Sequence, residues 1–180
     1  VLFRSAESHK LSDDGLSVSL TLQDGLKFSD GALLTGEDVV FSLDRARNPD
    51  LSPWAGLLGS IKEVTADGRT VTISLNSPDP TILSMLATFN TAIVSKSVFD
   101  AAEGATDQEK SAAIFAAGGA GVGSGPFFLS GFEHGSSMSF SANPNYWKMG
   151  ADGKALPYVD GVEFQIIPDD ATRILKLQAG

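Results

Sequence analysis

Apolar and polar residues alternate strictly along LSVSLTL: Leu16, Val18, Leu20 and Leu22 fall on one face, Ser17, Ser19 and Thr21 on the other. A period of two with one polar face predicts a half-buried strand. Asp13-Asp14-Gly15 before it and Asp24-Gly25 after it are turn signals. The period then changes. Beyond a turn at Asp30-Gly31, residues Val39, Val40, Leu43 and Ala46 recur at helical spacing. Thr35 with Asp38 approximates a capping box in which Asp replaces the usual Glu or Gln. Arg45 and Arg47 sit at the negative end of this helix, and Pro49 stops it.

Farther along, SIKEVTA and RTVTISLNS flank Asp67-Gly68 and predict a hairpin with a type I′ turn, Val71, Ile73 and Leu75 sharing a face. Pro78 and Pro80 close it, and Pro80 suits the first turn of a short helix, PTILSMLATF. Ala92-Ile93-Val94 reads as a brief strand leading to Ser95, and Asp107 as the cap of the alanine-rich helix QEKSAAIFAA. PFFLSGFEHGSSMSFSA reads as a second hairpin around His134-Gly135, and VDGVEFQII as a last strand. Pro168-Asp169 opens a terminal helix carrying Ile174, Leu175 and Leu177. Helices and antiparallel hairpins mix without a regular βαβ rhythm, so the expected class is mixed α/β, of the α+β kind. The sequence has no internal repeat.

Composition narrows the partners. With 13 basic and 22 acidic residues the net charge is −9, and no basic stripe overrides it, so nucleic acid is not an expected partner. The absence of cysteine excludes disulfides and thiolate sites but leaves the compartment open. No apolar run approaches the 18 residues of a membrane-spanning helix. A length of 180 residues suits one domain with a sizeable core.

The densest candidate for chemistry is GGAGVGSGPFF, with five glycines between Gly118 and Gly125. A dinucleotide fingerprint fails on spacing: counted from Gly119 the sixth place is Ser124, and from Gly121 it is Pro126. A phosphate loop fails for want of lysine, and the order helix, loop, strand points no helix N-terminus into it. Two readings stay open: a flexible connection, or a place where main chain approaches a ligand closely. Ser124 sits one place too late for a nucleophile elbow. His9 and His134 are the two histidines, and neither shares a helical face with a second ligand, so no metal site is expected. Asp169-Asp170 reads as a helix cap ahead of an acid-base pair. Tyr146-Trp147 is either a binding stack or an apolar anchor, and Trp54, beside Pro53, is equally open.

Several of these patterns together resemble one family. LSDDGLSVSLTLQDGLKFSDGALLTGEDVVFSLDRARNP is similar to the N-terminal signature of the extracellular solute-binding proteins, family 5, the dipeptide-, oligopeptide- and nickel-binding proteins of bacterial ABC importers. Gly25, Lys27, Phe28, Asp30, Gly31, Thr35, Glu37, Asp38 and Val39 follow its order; Gln23 stands where arginine is usual, and Gly36 where alanine is common. GSGPFF and NPNYW resemble its G-T-G-P-Y/F strand and N-x-x-Y-W loop, and LPYVDGVEFQIIPDDATRILKLQAG its strand-Pro-Asp-helix passage.

The resemblance implies a periplasmic-binding-protein-like type II lobe, incomplete, spanning residues 6–180 with an inserted subdomain at about 50–117 and the second lobe absent. Val1 to Ser5 are expected to be non-native, because GTG CTC TTC CGA TCT, a sequencing-adapter stretch, encodes VLFRS. VLFRS itself holds no apolar signal segment. The implied function is capture of peptides or a related small solute outside the cytoplasmic membrane, in the periplasm or at the cell surface, for delivery to ABC permease subunits. Neither catalysis nor a cofactor is expected, and the full-length protein is expected to be a monomer. Gly123, Ser124, Gly125, Pro126 and Phe127 are the expected cleft-lining residues. The alternatives are a hydrolase acting on peptide or glycan, a non-transport interaction module and, within the family, nickel, haem or another small solute as ligand.

Overall fold

The computed structural model describes residues 5–116 and 122–180. Two antiparallel sheets organise the chain. The first has the order β1-β2-β4-β3, built from Ala6–Leu11, Ser17–Leu22, Ile61–Asp67 (β3) and Thr70–Leu75 (β4). In β2 the alternation works as expected: Val18, Leu20 and Leu22 are buried while Ser17, Ser19 and Thr21 are half-buried. Leu16 lies just before the strand and is exposed. Val71, Ile73 and Leu75 of β4 face the same core. In β3 the buried residues Ile61 and Val64 are three apart, because a register shift between Ile61 and Glu63 resets the phase.

Helix α1 (Gly36–Ala46) lies against β3 and β4, burying Val39, Leu43 and Ala46. Its start follows the expected box, with the Asp38 carboxylate accepting from the Thr35 N–H at 2.8 Å. The β3–β4 turn differs from the expectation. Asp67 pairs with Thr70, so the loop residues are Gly68 and Arg69, and only Gly68 has positive φ (+57°). A type I′ turn requires positive φ at both, so the arrangement is that of type II′, with glycine first.

Three further differences have local causes. Ala92-Ile93-Val94 forms no strand; its extended backbone is tied to α1, Val94 N–H donating to Ser42 Oγ at 2.9 Å. The expected short helix after Pro80 shrinks to α2 (Ile82–Met85), followed by a 3-10 turn at Phe89–Thr91. After α3 (Lys96–Ala101), helix α4 (Asp107–Ala116) is boxed by Thr106 and Glu109 rather than capped by Asp107. The Glu109 carboxylate accepts from the Ala105 and Thr106 N–H groups, and Thr106 Oγ1 accepts from the Glu109 N–H. The missed strand is β1, whose sequence AESHKL has no apolar alternation; as an edge strand it buries almost nothing.

The second sheet has the order β5-β6-β7, from Phe127–Glu133, Ser137–Ala142 and Gly161–Gln165. Its hairpin turns at His134–Ser136 with Gly135 at φ +73°. Helix α5 (Asp170–Ala179) follows, capped by Asp169 as expected, whose side chain accepts from Thr172 N–H at 2.8 Å. β3 and β4, from inside the 50–117 span, share a sheet with β2 and a core that runs from Val18 to Ile93.

Candidate functional site

Gly123–Phe127 runs from the first layer into β5 and is held from both sides. Ser29 N–H donates to the Gly123 carbonyl at 2.9 Å, and Ser29 Oγ accepts from the Gly123 N–H at 3.4 Å. The buried Asn143 amide donates to the Gly125 carbonyl at 2.8 Å, and its backbone N–H to the Pro126 carbonyl at 2.9 Å. Asn143 Oδ1 accepts from Asn145 N–H at 2.9 Å, and the Asn145 amide reaches the Ser29 carbonyl at 3.2 Å. These bonds close a ring that joins the FSDG turn, the glycine segment and the NPNYW loop. Phe127 then enters the sheet opposite Ala142.

The two glycines are not there for backbone strain, since neither has positive φ. A Cβ at Gly123 would meet nothing within 4 Å, and one at Gly125 only the Phe127 carbonyl at 3.7 Å. The whole segment is half-buried beside open space. Its carbonyls at Gly123, Gly125 and Pro126 all accept hydrogen bonds from these neighbouring segments. Gly118–Gly121, the first part of the glycine run, lie outside the described residues.

A second concave region gathers around Trp54. A cavity of about 230 Å³ is bordered by Ser42, Leu51, Trp54, Phe89 and Asn90. Trp54 and Phe89 meet edge to face with centroids 5.6 Å apart, and remain 49% and 67% exposed. Asp79 clamps the two loops that carry them: its carboxylate accepts from Ser60 Oγ at 2.7 Å and from Thr81 N–H at 2.8 Å. The Ser60 hydroxyl, then Thr81, hold its pKa below the usual aspartate range. Next to Phe89 in sequence, Thr88 Oγ1 lies within bonding distance of both the Met85 carbonyl and Asn90 Oδ1, while among the described residues Asn90 Nδ2 is buried without a partner. One hydroxyl hydrogen cannot serve two acceptors. With the amide turned, Nδ2 donates to Thr88 Oγ1 and the hydroxyl keeps Met85. Trp54 was open on sequence, and nothing in the pattern marked Phe89, which only the chain's return past Leu86 brings alongside it.

The remaining candidates resolve into structure. Trp147 packs on the core beside Tyr146, at 6.0 Å and tilted, which is the anchor reading. His134 stands in its hairpin loop with its ring edge-on to Phe132 at 6.3 Å. Asp169 is the α5 cap, and the Thr172 hydroxyl and N–H hold its pKa below the usual aspartate range. Among the described residues no three His, Cys, Asp or Glu side chains are grouped to hold a metal ion.

The family model for bacterial extracellular solute-binding proteins, family 5 (middle), matches residues 4–180. The chain belongs to this family. Among family 5 relatives, the glutathione-binding protein GsiB of Salmonella typhimurium is 32% identical over 97% of this chain and 31% of its own length. A probable di/tripeptide-binding protein 5 of Pseudomonas aeruginosa is 33% identical over 97% of this chain and 35% of its own. The solved structure of MoaA from A. tumefaciens R10, in complex with mannopinic acid, superposes with TM-score 0.80 at 29% identity, covering 98% of this chain and 33% of that one. The fold is therefore that of the type II periplasmic binding proteins, and the chain spans about a third of the length of the relatives it matches. Among the described residues no helix is long and apolar enough to cross a membrane.

Proposed function

We propose that this chain is part of the solute-capturing component of an ABC importer, which holds a peptide or related small solute outside the cytoplasmic membrane. The observation that carries the reading is the family 5 match across residues 4–180, joined to a fold that superposes on a ligand-bound relative over 98% of the chain. Peptide is the favoured ligand because two relatives are named for glutathione and for di- and tripeptides. Capture is reversible: a closed state is selected because it buries the solute, and the closed form is what the permease subunits receive. The parent protein works as a monomer.

Two regions contribute the contacts. Gly123–Phe127 supplies one wall, its glycines leaving room for a ligand's main chain to come near. The Trp54–Phe89 pair supplies an apolar surface for a side chain, held at its angle by Asp79 and the Ser52 hydroxyl. The test is calorimetric titration of the full-length parent with dialanine, trialanine and glutathione. At least one should bind saturably and be released unchanged. Trp54→Ala should weaken it about tenfold, the order expected for a lost aromatic contact. Gly125→Val should weaken binding with an unchanged melting curve, because its Cβ meets one atom at ordinary distance. Hydrolysis of the bound peptide would overturn the reading. Unchanged affinity in both variants would leave capture standing and remove these residues from it.

A further inference from the structure

An adjoining cavity, of about 170 Å³, lies between α3 and α4 and shares Arg45 and Val94 with the one around Trp54. Its walls are Val94, Val98, Phe99, Ile114 and Val122, with Arg45 at the rim beside Ser111. A dry apolar cavity of about 150 Å³ is large enough to hold a benzene ring. What distinguishes this one is the charge set around it. Phe41 and Phe99 meet at 5.1 Å, and three cations stand over the pair. The Arg45 guanidinium is 4.1 Å from the Phe99 centroid, Lys110 Nζ is 5.4 Å from it, and Lys96 Nζ is 6.0 Å from Phe41.

Among the described residues, two of the three cations are matched by carboxylates. Arg45 pairs with Asp107 and Lys96 with Asp100. Lys110 Nζ reaches the carbonyls of Phe99 and Asp100 at 3.5 and 3.4 Å, and among the described residues it has no carboxylate partner. A surplus cation over Phe99, the ring that walls this apolar cavity, is conspicuous in a chain of net charge −9. Arg45 also keeps capacity: its bonds to Asp107 and Ser111 use two of five N–H donors. We propose that this cavity is a second binding site, for a small organic carboxylate with an apolar body. The body fills the Val94–Val98–Ile114 walls and stacks near Phe99, and the carboxylate lies between Arg45 and Lys110.

Benzoate is the probe, with benzyl alcohol as its uncharged counterpart and acetate as its headgroup alone. Saturation-transfer NMR and calorimetry on the intact protein should show benzoate binding saturably, and both controls binding more weakly. Lys110→Gln, a surface change, should weaken benzoate about fivefold, the order of one exposed charge contact. Val98→Phe, which fills the cavity, should abolish binding, and Ile114→Phe should do the same if the first variant fails to fold. Trp54→Ala should leave benzoate affinity unchanged, which separates this site from the solute cleft. The proposal fails if benzoate does not saturate, if benzyl alcohol binds equally well, or if Trp54→Ala removes binding that Val98→Phe leaves intact.

Discussion

Asp38 is buried with both carboxylate oxygens engaged. Oδ2 accepts from the Thr35 N–H at 2.8 Å and hydroxyl at 2.9 Å, and Oδ1 accepts from Lys96 N–H at 2.9 Å. One side chain thus starts α1 and receives the first turn of α3, 58 residues away in sequence. Ser42, one turn on, repeats the device: its hydroxyl donates to the Asp38 carbonyl at 2.6 Å and accepts from Val94 N–H. Removing an acceptor while its buried donors stay costs more than the net value of the bond, because those donors have already left water. Asp38→Ala should lower unfolding stability by about 2–4 kcal/mol in urea titration, well beyond the roughly 1 kcal/mol of a lost cap. A loss no larger than the cap alone would mean that the α3 contact contributes nothing. The Thr35–Asp38 spacing revealed the local half of this role, but the distant half has no sequence signature.

At the scale of elements, the junction between α1 and the β3–β4 hairpin is a close approach. A Cβ on Gly36 would lie 2.7 Å from Ala66 Cβ and 2.9 Å from the Gly68 carbonyl. Here the hairpin sits too close for a side chain on Gly36. Gly36→Ala should destabilise by about 1–3 kcal/mol, the usual cost of overpacking. Adding Ala66→Gly should recover part of that loss, since the two residues are in contact and should couple; strict additivity of the two melting shifts would show that they do not. Elements with strong periodicity, β2, β4 and α1, were legible because burial on one side imposes the period. Elements held by someone else's groups were not. β1 has a polar sequence and exists because β2 offers it hydrogen bonds from Leu22 to Val18. Ala92–Val94 has a strand-like sequence but finds Ser42 of a helix as its partner.

For the molecule as a whole, the two layers differ in completeness. The first sheet and α1 enclose a core of fully buried side chains, Phe28, Leu20, Leu43 and Ile73 among them. The second sheet has no fully buried strand residue, and β7, Ile166 just after it and α5 present Phe164, Ile166, Ile174, Leu175 and Leu177 to solvent, Leu177 at 85% exposure. Apolar residues grouped in this way mark a surface that another segment covers. Since the relatives are about three times as long as this chain, further chain is the natural cover. The 180-residue chain alone should therefore bind a dye that reports exposed apolar surface and should self-associate. Replacing Ile174, Leu175 and Leu177 by lysine should reduce both, and a monodisperse chain with no dye response would refute the expectation.

Sequence by itself determined the order of most elements, the caps of α1 and α5, the core faces of β2 and β4, and membership of family 5. It could do so because periodicity, capping and turn chemistry are local, and a family signature is a string of such local features. Tertiary structure alone decided the β1-β2-β4-β3 pairing, the meeting of Trp54 with Phe89, the cation set over Phe99, and the ring that locks the glycine segment to Ser29, Asn143 and Asn145. Each of those joins residues far apart along the chain, and their energies depend on distance in space, which no spacing in the sequence encodes.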